Sequence, residues 1–467
     1  SFWFQRSLRA RISRHADEHT KATGSNMLLN NNNVFGCDQF AASRRSWLTS
    51  TSSTGLGFLI GKNSFANARP EATKSLIIIY LSGGLAHQDS FDPKPKAPPE
   101  IRGEFGSIQT RLTGIRFSEH LPLLAARADR FSLVRSLVGL IDEHSSYQNL
   151  TGFPMAISQR EGKPHIGSII ARAMGPATPT TPSFVDLFPV MQHRPYNSPG
   201  PGALGRAFMG ARLDTKDLGP MKVAEGGIES LKDRFSLVQK VNSAGNEIGR
   251  DFDGPYSKAF ELLVKQSLAK TLNIEAEGEK IRDRYGRGDS KHQGDGAPLW
   301  NDQLILARRL VEAGARVVTV AYGFWDTHGN NFKHLKGNLP VFDKGISALL
   351  DDLTDRGLID TTTVMVCGEF GRTPKINKDA GRDHWARVNG CLIAGGAIKS
   401  GIVVGSTDSS AAEAHDNPIH HRDVLATVLT SLGLDLDTTI QDVSGRPMTP
   451  LPGTARPIEK LLVSNKV

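Results

Sequence analysis

Histidine, carboxylate or both recur in five short segments of this 467-residue chain. His87, Asp89 and Asp92 form the first, Asp142, His144 and Ser145 the second, and Trp325-Asp326-Thr327-His328 the third. Glu369, Arg372 and Thr373 make a fourth, and Arg382-Asp383-His384-Trp385 a fifth. Imidazole and carboxylate without thiolate is the donor set of Zn, Mn, Fe or Ca held at an open position, where water and substrate can also bind. One such ion polarises an ester oxygen and activates water, and two about 4 Å apart do so jointly. Arg372, beside Glu369, has the planar fork that grips a phosphate or sulfate.

The elements needed to bring these segments together are legible around them. Each segment comes after a run that reads as a buried strand: Ser75 to Leu81, Phe131 to Leu137, Val317 to Ala321 and Thr361 to Cys367, with Cys391 to Ala394 a further strand. Helices alternate with them. Leu306, Leu310 and Val311 recur at helical spacing before Gly314, Phe342 to Leu353 make a second apolar face before Gly357, and Val424 to Leu432 a third before Gly433. This is the pattern of an α/β fold, a doubly wound and mostly parallel sheet with helices on both faces. In such sheets ligands bind outside the carboxyl ends of the strands, which is where the five segments fall.

Periodicity weakens between about 182 and 300, where helical stretches over Ile228 to Val241 and Tyr256 to Leu272 are separated by Gly/Asp-rich loops. A helical insertion acting as a cap is expected there, within a body over 69–467. His415, His420 and His421 precede the last helix and are expected as a solvated cap.

Residues 1–68 carry +5 of the formal +8 charge, so the body is nearly balanced and no basic groove for nucleic acid is expected. Ser43-Arg44-Arg45-Ser46-Trp47-Leu48, the apolar Gly55 to Ile60 and Ala66-Asn67-Ala68 form a twin-arginine leader pattern, so export to the periplasm or cell surface is expected. No run approaches the roughly 20 apolar residues of a membrane span. Three cysteines cannot make a disulfide framework, and Cys367 and Cys391 read as small core residues.

Leu81-Ser82-Gly83-Gly84 with Asp89 to Pro95, Trp325 to Gly329, Gly368-Glu369-Phe370-Gly371-Arg372-Thr373-Pro374 and Gly381 to Trp385 resemble the bacterial family known as domain of unknown function 1501. That family is similar in fold to the alkaline phosphatase and sulfatase superfamily, whose site holds one or two divalent metals. The resemblance implies that Asp326, His328 and His384, together with Glu369 and Asp383, hold the metal, and that His87 or Asp89 adds a ligand from the first strand. It aligns Asp142 to Gly152 with the sulfatase nucleophile segment. Asp142 then stands at the nucleophile position and Ser145 three residues later, while Phe370 occupies the place of the second metal's histidine. A second metal and a covalent step are therefore both left open.

The expected function is an exported metal-dependent hydrolase of small-molecule or polysaccharide phosphate or sulfate esters. Ser145 or a water held by the metal attacks, His144 gives acid/base help and Arg372 orients the anion. The alternative is a non-catalytic member that binds a polysaccharide or protein at the cell surface. The oligomeric state is not legible.

Overall fold

The computed structural model describes residues 75–178, 181–213 and 268–463. The expected leader lies outside these residues, as do the helix expected over Ile228 to Val241 and most of that over Tyr256 to Leu272.

One nine-stranded sheet organises the chain. Its strands are β1 (Ser75–Ser82), β2 (Ser132–Val138), β3 (Phe184–Leu187), β4 (Ala211–Arg212), β5 (Val317–Phe324), β6 (Thr362–Gly368), β7 (Asn389–Ala394), β8 (Val403–Val404) and β9 (Ile419–His420). The order across the sheet is β8-β2-β7-β6-β1-β5-β3-β4, with β9 also on β2. Among these described strands only β7 runs antiparallel to its neighbours. The fold class is thus the expected one, a mostly parallel α/β sheet.

β1 sits centrally because SLIIIYLS is apolar without alternation, as a strand covered on both faces requires. Its successive side chains feed two separate cores. Ile77, Ile79 and Leu81 pack with helices α2 (Asp302–Glu312) and α3 (Asn331–Asp355), whereas Leu76, Ile78 and Tyr80 pack with α1 (Ile166–Met174) and α4 (His421–Ser431). α3 begins at Asn331, well before the apolar face that announces it in the sequence.

Two expectations need correction. The segment read as a helical insertion opens with β3 and β4, which are strands of the central sheet. β3 escapes a periodicity reading because it has four residues and carries Asp186. That carboxylate is buried beside β5, where Thr319 Oγ1 donates to it at 2.6 Å. The described part of 268–300 holds short helices at Ala269–Leu272 and Glu279–Tyr285 and a hairpin of Gly288–His292 with Pro298–Trp300. His420 does cap α4, its Nδ1 accepting from Arg422 N at 3.4 Å, but His421 is buried and not solvated.

Candidate metal centre

Three loops at the carboxyl ends of β2, β5 and β6, with the hairpin beyond β6, build the site. β5 ends in Phe324, after which Trp325 N donates to Ser82 O at 2.8 Å and the indole is fully buried. This anchor fixes the next residues, Asp326 and His328. Gly83, at φ +94°, lies so close that a Cβ on it would sit 2.4 Å from Asp326 N. Only glycine takes that conformation at that approach without strain.

Beyond β6, Gly371–Arg372 pairs antiparallel with His384–Trp385, placing Arg372 opposite His384. The loop between them is tied to the Asp326 loop. Arg382 N donates to Thr327 O at 3.0 Å, Asn377 Nδ2 donates to His328 O at 2.9 Å, and Gly381 packs directly on His328 O.

The result is a convergence of four side chains. One donor atom from each of His144, Asp326, His328 and His384 lies within 4.8 Å of the other three. Asp326 Oδ1 is 3.0 Å from His328 Nε2 and 3.1 Å from His384 Nε2, these two nitrogens are 2.9 Å apart, and Asp326 Oδ2 is 3.3 Å from His144 Nε2.

Each imidazole is held from behind at Nδ1. His384 Nδ1 faces Asp142 Oδ1 at 2.7 Å, His328 Nδ1 faces Asp383 Oδ1 at 2.8 Å, and His144 Nδ1 lies 2.6 Å from Tyr196 OH and 3.4 Å from Glu369 Oε1. A carboxylate behind the ring fixes the tautomer that leaves the Nε2 lone pair pointing inward, as behind metal-bound histidines generally.

These donors fit a divalent cation. Ligands at 2.0–2.1 Å in a tetrahedron are separated by about 3.3 Å, and cis ligands of an octahedron by about 3.0 Å. The separations among Asp326 Oδ1, His328 Nε2 and His384 Nε2, 2.9–3.1 Å, match these values, and His144 Nε2 stands 3.3 Å from the other Asp326 oxygen. With Nδ1–H given to the carboxylates, nitrogen lone pairs and a carboxylate face one another at these distances, and a cation at their centre is what relieves them. Electrostatics point the same way. Burial alone lowers the His144 pKa, but hydrogen bonds and charge from Asp326 and Glu369 overcome it and raise it to about 9. Burial alone would raise the Asp326 pKa, but contacts with His144, His384 and Arg372 outweigh it and hold the group well below the carboxylate range. The pocket favours positive charge.

The other expected site residues are placed differently. His144, expected as an acid/base, is in the donor cluster itself. Asp142 and Asp383 stand behind His384 and His328 rather than at the centre. Glu369 also stands behind the cluster: its Oε1 accepts from Gly83 N at 2.7 Å, and the carboxylate is buried. Asp89 is no ligand, because both its oxygens accept from Arg382, at 2.7 and 2.9 Å, in a fully buried ion pair, with Asn331 Nδ2 at 2.8 Å. His87 is buried elsewhere, with Nε2 2.8 Å from Ala411 O, and burial lowers its pKa so that it stays neutral.

Arg372 is equally committed. Its guanidinium donates to Gly83 O, to Gly84 O at 3.2 Å, to Arg382 O at 3.1 Å and to Asp326, and the side chain is fully buried. It clamps the Asp326 loop and, fully buried, presents no face to a substrate anion. Ser145 Oγ accepts from Tyr147 N at 3.1 Å, in the turn that leads into the short helix Tyr147–Thr151.

Sequence reasoning missed Tyr196 and His193. The His193 ring stands 5.4 Å from that of His144 and 4.7 Å from that of Tyr196, with Nδ1 4.0 Å from Asp295. Both come from the segment after β3, and the signal that could have found them is that position beyond a strand end, which is hidden while the strand itself goes unrecognised.

Solved structures similar to this chain are distant in sequence. Ps i-CgsB, in complex with k-i-k-neocarrahexaose, is 13% identical, with 78% of this chain and 73% of that chain covered at a TM-score of 0.36. The phosphonate monoester hydrolase SpPMH from Silicibacter pomeroyi is 13% identical over 84% of this chain and 76% of that one, TM-score 0.35. A mutant TAB5 alkaline phosphatase with Mg bound is 13% identical over 78% and 99%, TM-score 0.34. No curated protein matches the sequence. The model of one family, described as a protein of unknown function (DUF1501), matches residues 73–462, and the chain belongs to that family.

Proposed function

We propose that this chain is a metal-dependent hydrolase of phosphate or sulfate esters that acts after export through its twin-arginine leader. The observation that carries the reading is the convergence of His144, Asp326, His328 and His384, with each imidazole backed by a carboxylate or a tyrosine hydroxyl. The ester class is what the resemblance of the motifs implies, and the leader motif supports the export.

A divalent ion held there would supply a Lewis acid and lower the pKa of water. The chain's own residues do the rest. Asp326 presents both oxygens to the cluster and is kept ionised by the two histidines and by Arg372. Asp142 and Asp383 hold His384 and His328 in the tautomer that presents Nε2. Phe370, fully buried, lies under the rings of His384 and His144 at 4.4 and 5.3 Å and keeps water from the inner side. His328 is the most exposed donor, with a side-chain exposure of 46%, so substrate enters past it. Ser145, outside the donor cluster and with its Oγ accepting from Tyr147 N, is assigned no covalent step.

The test is hydrolysis of nitrophenyl phosphate, phosphodiester and sulfate by protein purified without its leader. Turnover is expected to vanish with chelator, return with a divalent ion, be lost in Asp326→Asn and survive in Ser145→Ala. Activity untouched by chelator would overturn the metal reading, and loss in Ser145→Ala with the metal retained would restore a covalent step.

A further inference from the structure

Resting on the hydrolase reading, we infer that the site selects esters carrying a single negative charge, such as sulfate monoesters or phosphodiesters, over phosphate monoesters, which carry two. The inference comes from the charge immediately around the donor cluster. Four carboxylates touch its members: Asp326 within it, Asp142 behind His384, Asp383 behind His328 and Glu369 behind His144. Among the described residues that contact the cluster, the one lysine or arginine is Arg372.

A divalent ion would leave this group with one net negative charge. The Arg372 guanidinium is also spent on three backbone carbonyls and Asp326, with no surface left to a ligand. The other buried arginine of these loops, Arg382, is neutralised by Asp89 and donates its remaining hydrogens to Thr373, Pro374 and Ile101 carbonyls. Enzymes that hold dianions supply Arg, Lys or further metal around the non-bridging oxygens. Here the oxygen that meets the ion is served, while a second anionic oxygen finds carboxylates. Asp142 and Asp383 are both more than half exposed, so they face an approaching ligand as well as their histidines.

Phosphate monoesters lose their second proton near pH 6 and are dianions at pH 8, whereas sulfate monoesters and phosphodiesters remain monoanions. The experiment is calorimetric binding of methyl sulfate, dimethyl phosphate and methyl phosphate to the full chain, saturated with the divalent ion that it retains, at pH 8. Both monoanions are expected to bind at least about tenfold more tightly than methyl phosphate, the effect of one unit charge at about 6 Å through an effective dielectric of about 40. A preference for methyl sulfate over dimethyl phosphate would point to sulfate esters as the natural class, and the reverse to diesters.

The double variant Asp142→Asn/Asp383→Asn, read at saturating metal, is expected to shrink the gap between monoanion and dianion. Binding of methyl phosphate as tight as that of the monoanions, or a gap unchanged in the double variant, would overturn the charge selection and leave the hydrolase reading standing. Binding of none of the three, with no ester hydrolysed, would overturn both.

Discussion

Gly381→Ala attacks the metal centre without touching a donor. Gly381 stands where the loop carrying Asp383 and His384 crosses the one carrying Asp326 and His328, and an added Cβ would fall 1.9 Å from His328 O and 2.1 Å from His328 C. Real Cβ atoms essentially never come within 3.0 Å of a heavy atom outside their own residue and its chain neighbours, so the loops must part by at least about 1.1 Å, the difference between 3.0 and 1.9 Å. The neighbour is backbone and cannot rotate away. Carried to the rings, that shift opens the His328–His384 Nε2 separation from 2.9 Å to about 4 Å, beyond the roughly 3.4 Å that two nitrogens on one tetrahedral ion can span. One histidine is lost from the ion. Disturbing only the groups behind metal-bound histidines costs about 10–100-fold in affinity. Loss of a ligand should therefore cost at least about 100-fold, about 2.7 kcal/mol. Competition with a chelator of known affinity reads this directly. Gly329→Ala is the control, on the facing loop beside His328 but with its nearest neighbour at 3.7 Å, and should bind metal as the parent does. Parent-like affinity in a folded Gly381→Ala protein would refute the reasoning.

Asp142→Asn and Asp383→Asn should each weaken metal binding by about 10–100-fold by releasing the ring they orient, measured by the same competition. Arg382→Met leaves Asp89 buried without its partner, and denaturant unfolding should show a loss of about 3–5 kcal/mol. Asp343 accepts from Leu123 N and Leu124 N at 2.8 and 2.7 Å, yet burial outweighs these bonds and raises its pKa to about 6. The folded state then holds this proton longer than the unfolded chain, so stability falls as pH rises from about 4 to about 6, by up to about 3 kcal/mol. Asp343→Asn should remove that slope from unfolding curves taken across this range.

Legibility in the sequence depends on which physical signals are local. β1, β2, β5, β6 and β7 are visible as apolar, β-branched runs because both faces of each are buried, and the His and carboxylate after them stand out because such sheets bind ligands there. The antiparallel sense of β7 was hidden, since a run of apolar residues has no direction. So was the partition of the charged residues into roles. Asp89 and Asp326 look equivalent, each placed after a strand within a loop, and only the fold shows that Arg382 reaches the first and three histidines the second. Arg372 reads as an anion grip by its chemistry. The fold instead brings the Gly83 and Gly84 carbonyls, 288 or more positions away, onto its guanidinium. Tyr196 was out of reach for the same reason, its contact with His144 spanning 52 positions from a strand too short to show a period.

The central claim is that His144, Asp326, His328 and His384 hold a divalent cation. Metal content per chain of the leaderless protein, beside that of Asp326→Asn and His384→Ala, tests it most directly. About one tightly held divalent ion in the parent, and a loss of it in both variants with the fold intact, is the predicted result. A parent that retains no metal after exposure to Zn, Mn, Fe and Ca, or variants that keep the parent's content, would contradict the account.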